Sequence, residues 1–190
     1  MIGEWCYFKQ YFSADICDYI LKTGLILPSK QAELGVDGNI FNDQYRRSKI
    51  RFLQKTDSNF SFLFDEMWKL AIQANDQWFN FNISKLDYIQ LAEYNSIDKG
   101  EYKRHHDVFW MNGDPKYHRK LTAIVQLSDP ETYTGGDFEL IALNSYPDKH
   151  EIRSRGTVFF FPSFLEHQAN QVLSGTRYSL ACWFDGPKWC

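Results

Sequence analysis

The sequence predicts an α+β fold, mainly β, with a double-stranded β-helix (jelly-roll, cupin-like) core and N-terminal helices packed on one sheet. From residue 85 onward, short β-forming segments bounded by turn residues recur at close spacing, which is typical of sandwiches and barrels. Before residue 85, apolar residues recur at helical spacing. Aromatic residues make up 17% of the chain, and such bulky side chains suit the space between two sheets. We expect one domain over residues 1–190, with 1–84 as N-terminal support and 85–185 as the jelly-roll core.

The N-terminal support is expected to contain strands and two helices. A strand is predicted over 5–8, and Ser13 can cap a helix that runs to Gly24. A polar, glycine-containing loop is expected over 31–44. A strand is predicted over 46–54, where alternation places Ile50 and Phe52 on one face. A long amphipathic helix is predicted over 58–81, because apolar residues repeat there at intervals of three and four: Phe60, Leu63, Phe64, Met67, Trp68, Ala71 and Ile72.

The jelly-roll core is expected to consist of a series of short strands. Each is rich in β-branched or aromatic residues, and turn residues such as the Gly135-Gly136 pair separate neighbouring strands. The predicted strands cover 85–94, 101–104, 120–128, 137–143, 156–162, 167–173 and 176–184.

Charge and composition narrow the classes of partner. The net charge is −3 and the pI is near 5.9, so no global field attracts nucleic acid or an anionic membrane. The N-terminus has no basic-then-apolar signal pattern, and no apolar run reaches the roughly 18 residues of a membrane span, so we expect a cytoplasmic protein. The four scattered cysteines form no CxxC pair and are expected to be reduced. These observations leave open whether the chain is a monomer or a homodimer.

Three consecutive residues, His105, His106 and Asp107, close a predicted strand. Side chains at positions i and i+2 of a strand point to the same side, so His105 and Asp107 converge while His106 faces away. An imidazole and a carboxylate on one side of a barrel are two thirds of a facial triad, which leaves open positions on iron(II) for oxygen chemistry. Taken alone, the pattern is weak, and a solvated surface turn explains it as well.

The missing third ligand is supplied by His167, at the start of a later predicted strand. Ten residues further on lies Arg177, and a hairpin would place its side chain deeper in the same barrel. A buried arginine needs an anionic partner, which a ligand carboxylate would provide through two parallel hydrogen bonds. An internal salt bridge would meet the same need. Ser179 faces the same side as Arg177 and could add a hydroxyl to the same carboxylate.

In combination these residues are far more specific than any one of them. The sequence resembles the 2-oxoglutarate/iron(II) oxygenases of the prolyl 4-hydroxylase-like and bacterial PKHD-type hydroxylase group. The resemblance covers roughly residues 86–183 and extends more faintly to the N-terminal helix. It is carried by Tyr94, Tyr102 with the HHD motif, LTAIVQLSDPETYTGGDFEL, GTVFFFPSFLEHQ, GTRYSLACWF and, more faintly, Arg46-Arg47-Ser48.

This resemblance implies cofactors and residue roles. His105, Asp107 and His167 would bind iron(II), and Arg177 would bind the distal carboxylate of 2-oxoglutarate. With dioxygen, oxidative decarboxylation of 2-oxoglutarate to succinate and CO₂ would drive hydroxylation of a substrate, with ascorbate as a candidate reductant. Halogenation is disfavoured, because Asp107 would occupy the position that a halide needs.

Further residues of the co-substrate pocket follow from the same resemblance. Tyr94 resembles the strand tyrosine that reaches toward the co-substrate in prolyl hydroxylases, at a spacing to the HxD motif one residue longer than in some members. Tyr102 competes for this role, although a regular strand would turn it to the opposite face. Gln126 aligns where several relatives place an aromatic residue. Thr122, Gln126 and Trp183 are expected to complete the pocket.

The substrate is predicted less sharply than the cofactors. A 13-residue loop over 108–120 contains Trp110 and could act as a lid, or simply pack down on the fold. Arg46 and Arg47 form the other candidate contact, although a charged edge strand that resists aggregation also explains them. The PKHD-type resemblance favours a peptidyl residue, proline first, and leaves a small-molecule substrate open. His118 and His150 are expected at the surface.

Two other classes of protein compete with the oxygenase. A non-catalytic cupin-type module that binds a metal or a sugar would explain the strands and the His/Asp cluster, but it leaves Arg177 without an anion. A zinc hydrolase would also suit two histidines and one carboxylate.

Overall fold

The computed structural model describes residues 3–32, 44–111 and 113–189, so most of the loop predicted over 31–44 lies outside the described residues. Within them, the chain forms three α-helices and twelve strands. The helices are α1 (Ala14–Gly24), α2 (Ser61–Ala74) and α3 (Lys149–Arg153). The strands are β1 (Cys6–Phe8), β2 (Lys30–Gln31), β3 (Arg46–Arg47), β4 (Lys49–Gln54), β5 (Tyr88–Asn95), β6 (Glu101–His105), β7 (Tyr117–Gln126), β8 (Tyr133–Gly135), β9 (Phe138–Leu140), β10 (Val158–Pro162), β11 (His167–Ala169) and β12 (Val172–Pro187).

These strands form two antiparallel sheets. The larger sheet has eight strands in the order β1-β10-β7-β12-β5-β4-β2, with β8 paired to β12. The smaller sheet has the order β3-β6-β11-β9. Side chains from both sheets pack together, since Ala169 and Tyr102 of the smaller sheet contact a cluster with Ile50, Ala92 and Tyr94 of the larger one. The arrangement confirms the predicted jelly-roll fold.

Strict alternation along the central strands separates a helix-facing side from a cavity-facing side. On β12, Leu180, Cys182 and Phe184 belong to the core beneath the helices, whereas Arg177 and Ser179 face the space between the sheets. Neighbouring strands follow the same period of two, which is the geometry of a pleated strand. The larger sheet therefore packs its apolar side against α1 and α2 and turns its polar side toward a cavity.

The two long helices cover one face of the larger sheet, as predicted. Ser13 caps α1, and its Oγ accepts a hydrogen bond from the backbone N–H of Ile16 at 3.3 Å. The second helix is shorter than the predicted range 58–81: α2 begins at Ser61 and ends at Ala74, followed by one π-helical turn (Asn75–Phe79). The buried Asn75 side chain bonds both the N–H and the carbonyl of Phe81 at 2.8 Å, which closes the helix.

The single strand predicted over 46–54 is divided at Ser48. Arg46–Arg47 pairs with β6 in the smaller sheet, and Lys49–Gln54 pairs with β5 in the larger sheet. Ser48 is buried at this crossing, and its hydroxyl accepts a hydrogen bond from Arg46 Nε at 2.9 Å. The alternation of apolar residues over 46–54 therefore spans two strands, because the chain passes from one sheet to the other at Ser48 without a turn residue.

Two other predicted boundaries are corrected in the same way. The loop predicted over 108–120 is shorter, since β7 begins at Tyr117. The strand predicted over 167–173 ends at Ala169, and Val172 already belongs to β12. In the described part of the chain, no helix combines the length and the apolar character that crossing a membrane requires.

Candidate metal and co-substrate site

Two histidines face each other across neighbouring strands of the smaller sheet. His105 ends β6, His167 begins β11, and the two are register partners in the antiparallel pair. Their ring centroids lie 4.2 Å apart, and His167 is buried. Strand pairing thus brings together two imidazoles that are 62 positions apart in the sequence.

Asp107 completes the group from just beyond the end of β6. Its Oδ1 lies 3.8 Å from His105 Nε2, and its Oδ2 lies 3.6 Å from His167 Nε2. The backbone N–H of Asp107 donates to the Ser163 carbonyl at 2.9 Å, which fixes the chain after the strand ends. Thr122 Oγ1 donates to Asp107 Oδ2 at 2.8 Å and also contacts Ser163 Oγ at 2.8 Å.

Hydrogen bonding orients both imidazoles toward the carboxylate. His105 Nδ1 lies 2.7 Å from the Lys103 carbonyl, and His167 Nδ1 lies 3.0 Å from the Leu165 carbonyl. Since a carbonyl only accepts, Nδ1 carries the proton and the Nε2 lone pair points into the site. Burial, together with the neighbouring His167, lowers the pKa of His105 to about 3, so its imidazole is neutral.

Asp107 is ionised in spite of its burial. Burial by itself raises the pKa of this carboxyl, but the two histidines, Arg119 and the Thr122 hydrogen bond outweigh it and lower the pKa below its usual range. One ligand atom from each of His105, Asp107 and His167 lies within 4.8 Å of the others. Two imidazole nitrogens and one carboxylate oxygen on one side of a site match the facial triad of non-haem iron.

The orientations of His106 and Tyr102 show where the alternation predicted along β6 holds and where it fails. His106 is exposed and is not part of the triad, although it borders the same cavity as His105 and Asp107. Tyr102, however, faces the site: its ring stacks on His105 with centroids 3.5 Å apart. The register between β6 and β11 shifts, because His105 pairs with His167 while Tyr102 pairs with Ala169. This bulge places three steps of β6 opposite two of β11, so the expected opposite orientation of Tyr102 is wrong.

Arg177 is buried on β12 and pairs in register with Tyr94 of β5. Its Nε donates to Gln126 Oε1 at 3.1 Å, and its guanidinium carbon lies 5.7 Å from the centre of the Tyr94 ring. Among the described residues no carboxylate lies within 4.0 Å of its guanidinium nitrogens, so the internal salt bridge is not found there. A buried cation with free N–H groups can bind an anionic ligand.

The triad and Arg177 open into one cavity of about 440 Å³ between the two sheets, the central cavity. Several side chains predicted for the site also line it: Arg46, Tyr94, Tyr102, Ser179 and Trp183. Four predicted residues lie elsewhere. Thr122 supports Asp107, Gln126 lies behind Arg177, Arg47 pairs with Glu101 at 2.6 Å, and Trp110 is 47% exposed.

Aromatic rings surround the histidine side of the central cavity. The Phe161 ring centre lies 4.8 Å from that of His167, and the Phe138 ring centre lies 5.6 Å from it. Phe159 and Phe161 are both buried in one cluster with Leu140. Such rings exclude water from the space beside the triad.

Two residues that line the central cavity, Arg119 and His118, were not predicted from the sequence as part of the site. Arg119 lies between the rings of Trp183, at 4.0 Å, and Phe109, at 5.1 Å, and donates to the Tyr88 hydroxyl at 2.8 Å. His118 is buried rather than at the surface, and its Nδ1 accepts from the Trp189 backbone N–H at 3.3 Å. Both lie in the segment predicted as a loop, in the part that the structure shows to be the start of β7.

Comparison with protein families and curated relatives gives consistent matches. The model of the 2OG-Fe(II) oxygenase superfamily matches residues 89–185, which is just over half of the chain. Two PKHD-type hydroxylases of Shewanella baltica, from strains OS185 and OS195, are 38% identical over 63 residues. That segment is 33% of this chain and 27% of each relative, so the match spans about a quarter of the relatives' length.

Solved structures share the fold over nearly the whole chain. A viral collagen prolyl hydroxylase from Paramecium Bursaria Chlorella virus-1 has a TM-score of 0.71 at 18% identity, covering 97% of both chains. A Pseudomonas putida prolyl-4-hydroxylase has a TM-score of 0.71 at 17% identity, covering 96% of this chain and 92% of that one. A Trichoplax adhaerens prolyl hydroxylase, solved with a hypoxia inducible factor peptide, has a TM-score of 0.76 at 18% identity, covering 96% and 83%.

The family match includes the strands that carry the triad and Arg177, and the donor set suits ferrous iron. The chain belongs to the 2OG-Fe(II) oxygenase superfamily, and its cofactors are iron(II), 2-oxoglutarate and dioxygen.

Proposed function

We propose that the protein is a hydroxylase that couples oxidative decarboxylation of 2-oxoglutarate, to succinate and CO₂, to hydroxylation of a peptidyl residue, with proline as the leading candidate. One observation carries this proposal: the His105–Asp107–His167 group and the buried cation Arg177 open into the same cavity. A jelly-roll module that binds only a metal would leave that buried cation without an anionic partner.

Each residue has a defined task in this proposal. The Nε2 atoms of His105 and His167 and the carboxylate of Asp107 would hold iron(II) and leave three positions open. The bound metal and co-substrate supply the oxidising chemistry, with ascorbate as the candidate reductant. Arg177 would bind the distal carboxylate of 2-oxoglutarate through its terminal amino groups. Ser179, on the same face of β12, would donate its hydroxyl to that carboxylate.

The substrate would enter beside Arg46 and Tyr102. The Arg46 guanidinium carbon lies 4.3 Å from the centre of the Tyr102 ring, which in turn stacks on His105. Both side chains of this stack line the central cavity beside the triad and would offer hydrogen-bond donors to the carbonyl groups of a peptide. The PKHD-type relatives and the prolyl hydroxylases of the same fold support a peptide substrate.

The proposal is tested by co-substrate turnover and by substrate mass. Protein purified anaerobically is given iron(II), 2-oxoglutarate and oxygen, with and without proline-containing peptides. We expect succinate, and a peptide whose mass rises by one oxygen atom. N-oxalylglycine, an unreactive mimic of 2-oxoglutarate, should suppress both products. Metal binding without succinate formation or 2-oxoglutarate binding would instead identify a non-catalytic metal-binding module.

Thr122→Val is expected to weaken metal binding while leaving the three ligands in place. The substitution keeps the side-chain volume but removes the hydroxyl that donates to Asp107 Oδ2. Loss of such an outer-shell partner typically costs about 10- to 100-fold in metal affinity or activity. Titration of the variant with Mn(II), which replaces iron(II) without redox chemistry, measures the change. An affinity equal to that of the wild type would remove Thr122 from the support of the site.

His106→Ala is expected to leave succinate formation within about twofold of the wild type, since surface substitutions are usually nearly neutral. Its imidazole is exposed and lies outside the triad. His105→Ala provides the matched comparison, one position away, and is expected to be inactive. An inactive His106→Ala protein with an unchanged melting temperature would contradict the ligand assignment.

A further inference from the structure

Gln126 does not occupy the position that a co-substrate contact requires. Its side chain is 2% exposed and lies outside the central cavity. Oε1 accepts from Arg177 Nε at 3.1 Å, and Nε2 donates to the Tyr133 hydroxyl at 2.8 Å and to the Ser128 carbonyl at 3.3 Å. The amide thus bridges Arg177 to a tyrosine that sequence analysis did not single out.

The chemistry of the donors fixes the direction of this bridge. A guanidinium only donates, so the oxygen of the amide must face Arg177 and its nitrogen must face acceptors. The hydroxyl of Tyr133 is one such acceptor, and Tyr133 is itself 3% exposed. A reversed amide would place its NH₂ group against the Arg177 Nε–H and its oxygen against the Ser128 carbonyl, so these two partners fix the orientation. In that orientation the Tyr133 hydroxyl accepts a hydrogen bond from Nε2 and holds the amide in place.

Tyr133 is held firmly in turn. Arg153 of α3 places its guanidinium carbon 4.1 Å from the centre of the Tyr133 ring and donates to the Tyr133 carbonyl at 2.9 Å. Gly136 packs against the stem of Arg177, since a Cβ added there would lie 3.3 Å from Arg177 Cδ and 2.8 Å from Val172 Cγ2. These contacts restrict the Arg177 side chain from the side opposite the cavity.

We propose that Gln126 and Tyr133 are positioning residues, which hold Arg177 by its Nε so that both terminal amino groups face the co-substrate carboxylate. The inference rests on the proposed role of Arg177 in binding 2-oxoglutarate. Among the described residues, Gln126 Oε1 is the only hydrogen-bond acceptor of the Arg177 side chain. The amide can hold the guanidinium without neutralising it, whereas a carboxylate at the same place would compete with the ligand.

Three substitutions are expected to weaken 2-oxoglutarate binding to different extents. Tyr133→Phe removes one acceptor from the amide and is expected to weaken 2-oxoglutarate binding about threefold. Gln126→Leu frees Arg177 Nε and is expected to cost about tenfold. Gln126→Glu pairs with the guanidinium and repels a dicarboxylate, so the expected loss is at least about 100-fold. Tyr178→Phe is the matched control, because Tyr178 packs against the helix-side core and does not line the cavity.

Binding of 2-oxoglutarate is measured calorimetrically under nitrogen on Mn(II)-loaded protein, and the apparent KM and kcat are measured separately. A positioning role raises the dissociation constant and KM while kcat at saturating 2-oxoglutarate stays near the wild-type value. The Arg177 Nε–H resonance in nitrogen-15 spectra should shift in Gln126→Leu even without metal or co-substrate.

The outcomes separate this inference from the proposed function. If the wild type and Tyr178→Phe bind 2-oxoglutarate and Arg177→Ala does not, unchanged binding in Tyr133→Phe and Gln126→Glu would overturn the positioning role alone. If the wild type itself fails to bind 2-oxoglutarate, the proposed function and the inference both fail. Tyr133→Phe retains the aromatic ring, so it tests the inference even if Gln126→Glu does not fold.

Discussion

Replacing Asp107 with alanine is expected to reduce succinate formation to background, a loss of well over the roughly 100-fold that removal of an outer-shell partner causes. Asp107 is the only carboxylate of the triad. Its Oδ1 lies 3.8 Å from His105 Nε2, and its Oδ2 lies 3.6 Å from His167 Nε2. Without it, only the two histidines remain, and their affinity for iron(II) is expected to fall because no anion then balances the charge of the metal.

The fold is expected to survive this change. Asp107 accepts one side-chain hydrogen bond, from Thr122, whose hydroxyl keeps a second partner in Ser163. Mn(II) titration, succinate formation and a thermal melt of the same preparation measure metal affinity, turnover and stability. Asp18→Ala, which removes an exposed carboxylate paired with Arg155, serves as the control. A folded Asp107→Ala protein that still forms succinate would remove Asp107 from the metal site.

Arg177→Ala is expected to raise the concentration of 2-oxoglutarate required for half-maximal turnover by about 10- to 150-fold. Hydrogen bonds to charged groups contribute about 1.5–3 kcal/mol, and 1.4 kcal/mol corresponds to a factor of ten. Arg177 is the buried cation of the central cavity on β12, and within the described residues it has no carboxylate partner.

Arg177→Lys sharpens this test, because lysine retains the charge but not the planar fork. Lysine cannot form two parallel hydrogen bonds with one carboxylate, so we expect an intermediate requirement for 2-oxoglutarate. Succinate formation across a range of 2-oxoglutarate concentrations measures all three proteins. An Arg177→Ala protein with the wild-type requirement would show that the co-substrate carboxylate binds elsewhere.

The triad was accessible from sequence because short-range geometry determines it. Alternation along one strand separates His105 and Asp107 from His106, and the structure leaves His106 exposed and outside the triad, although it still borders the central cavity. Arg177 does face the same cavity, but the hairpin predicted to bring it there is wrong. His167 lies on β11 of the smaller sheet and Arg177 on β12 of the larger sheet, so the two side chains face each other from opposite sheets. The same alternation placed Ser179 on the side of β12 that carries Arg177, and both line the cavity.

Longer-range effects were not accessible. No glycine or proline in β6 marks the bulge that turns Tyr102 toward His105. The bulge arises where three steps along β6 pair with two steps along β11. Tyr133 reaches Gln126 from another strand, and only the assembled sheet shows that Gln126 faces Arg177 rather than the cavity. The division of the predicted strand at Ser48 also has no signal in the sequence, because the alternation of apolar residues continues where the chain passes from one sheet to the other.

The central position of β12 has a consequence for how the molecule is made. This strand lies between β5 and β7 and also pairs with β8, yet it is the last strand of the described sequence. During synthesis, β5, β7 and β8 therefore each have an unpaired edge until residues 172–187 have left the ribosome. Nascent chains that stop before this point expose the unpaired edges of all three strands. They are expected to depend on chaperones, and Arg177 takes its place in the central cavity only when β12 is added.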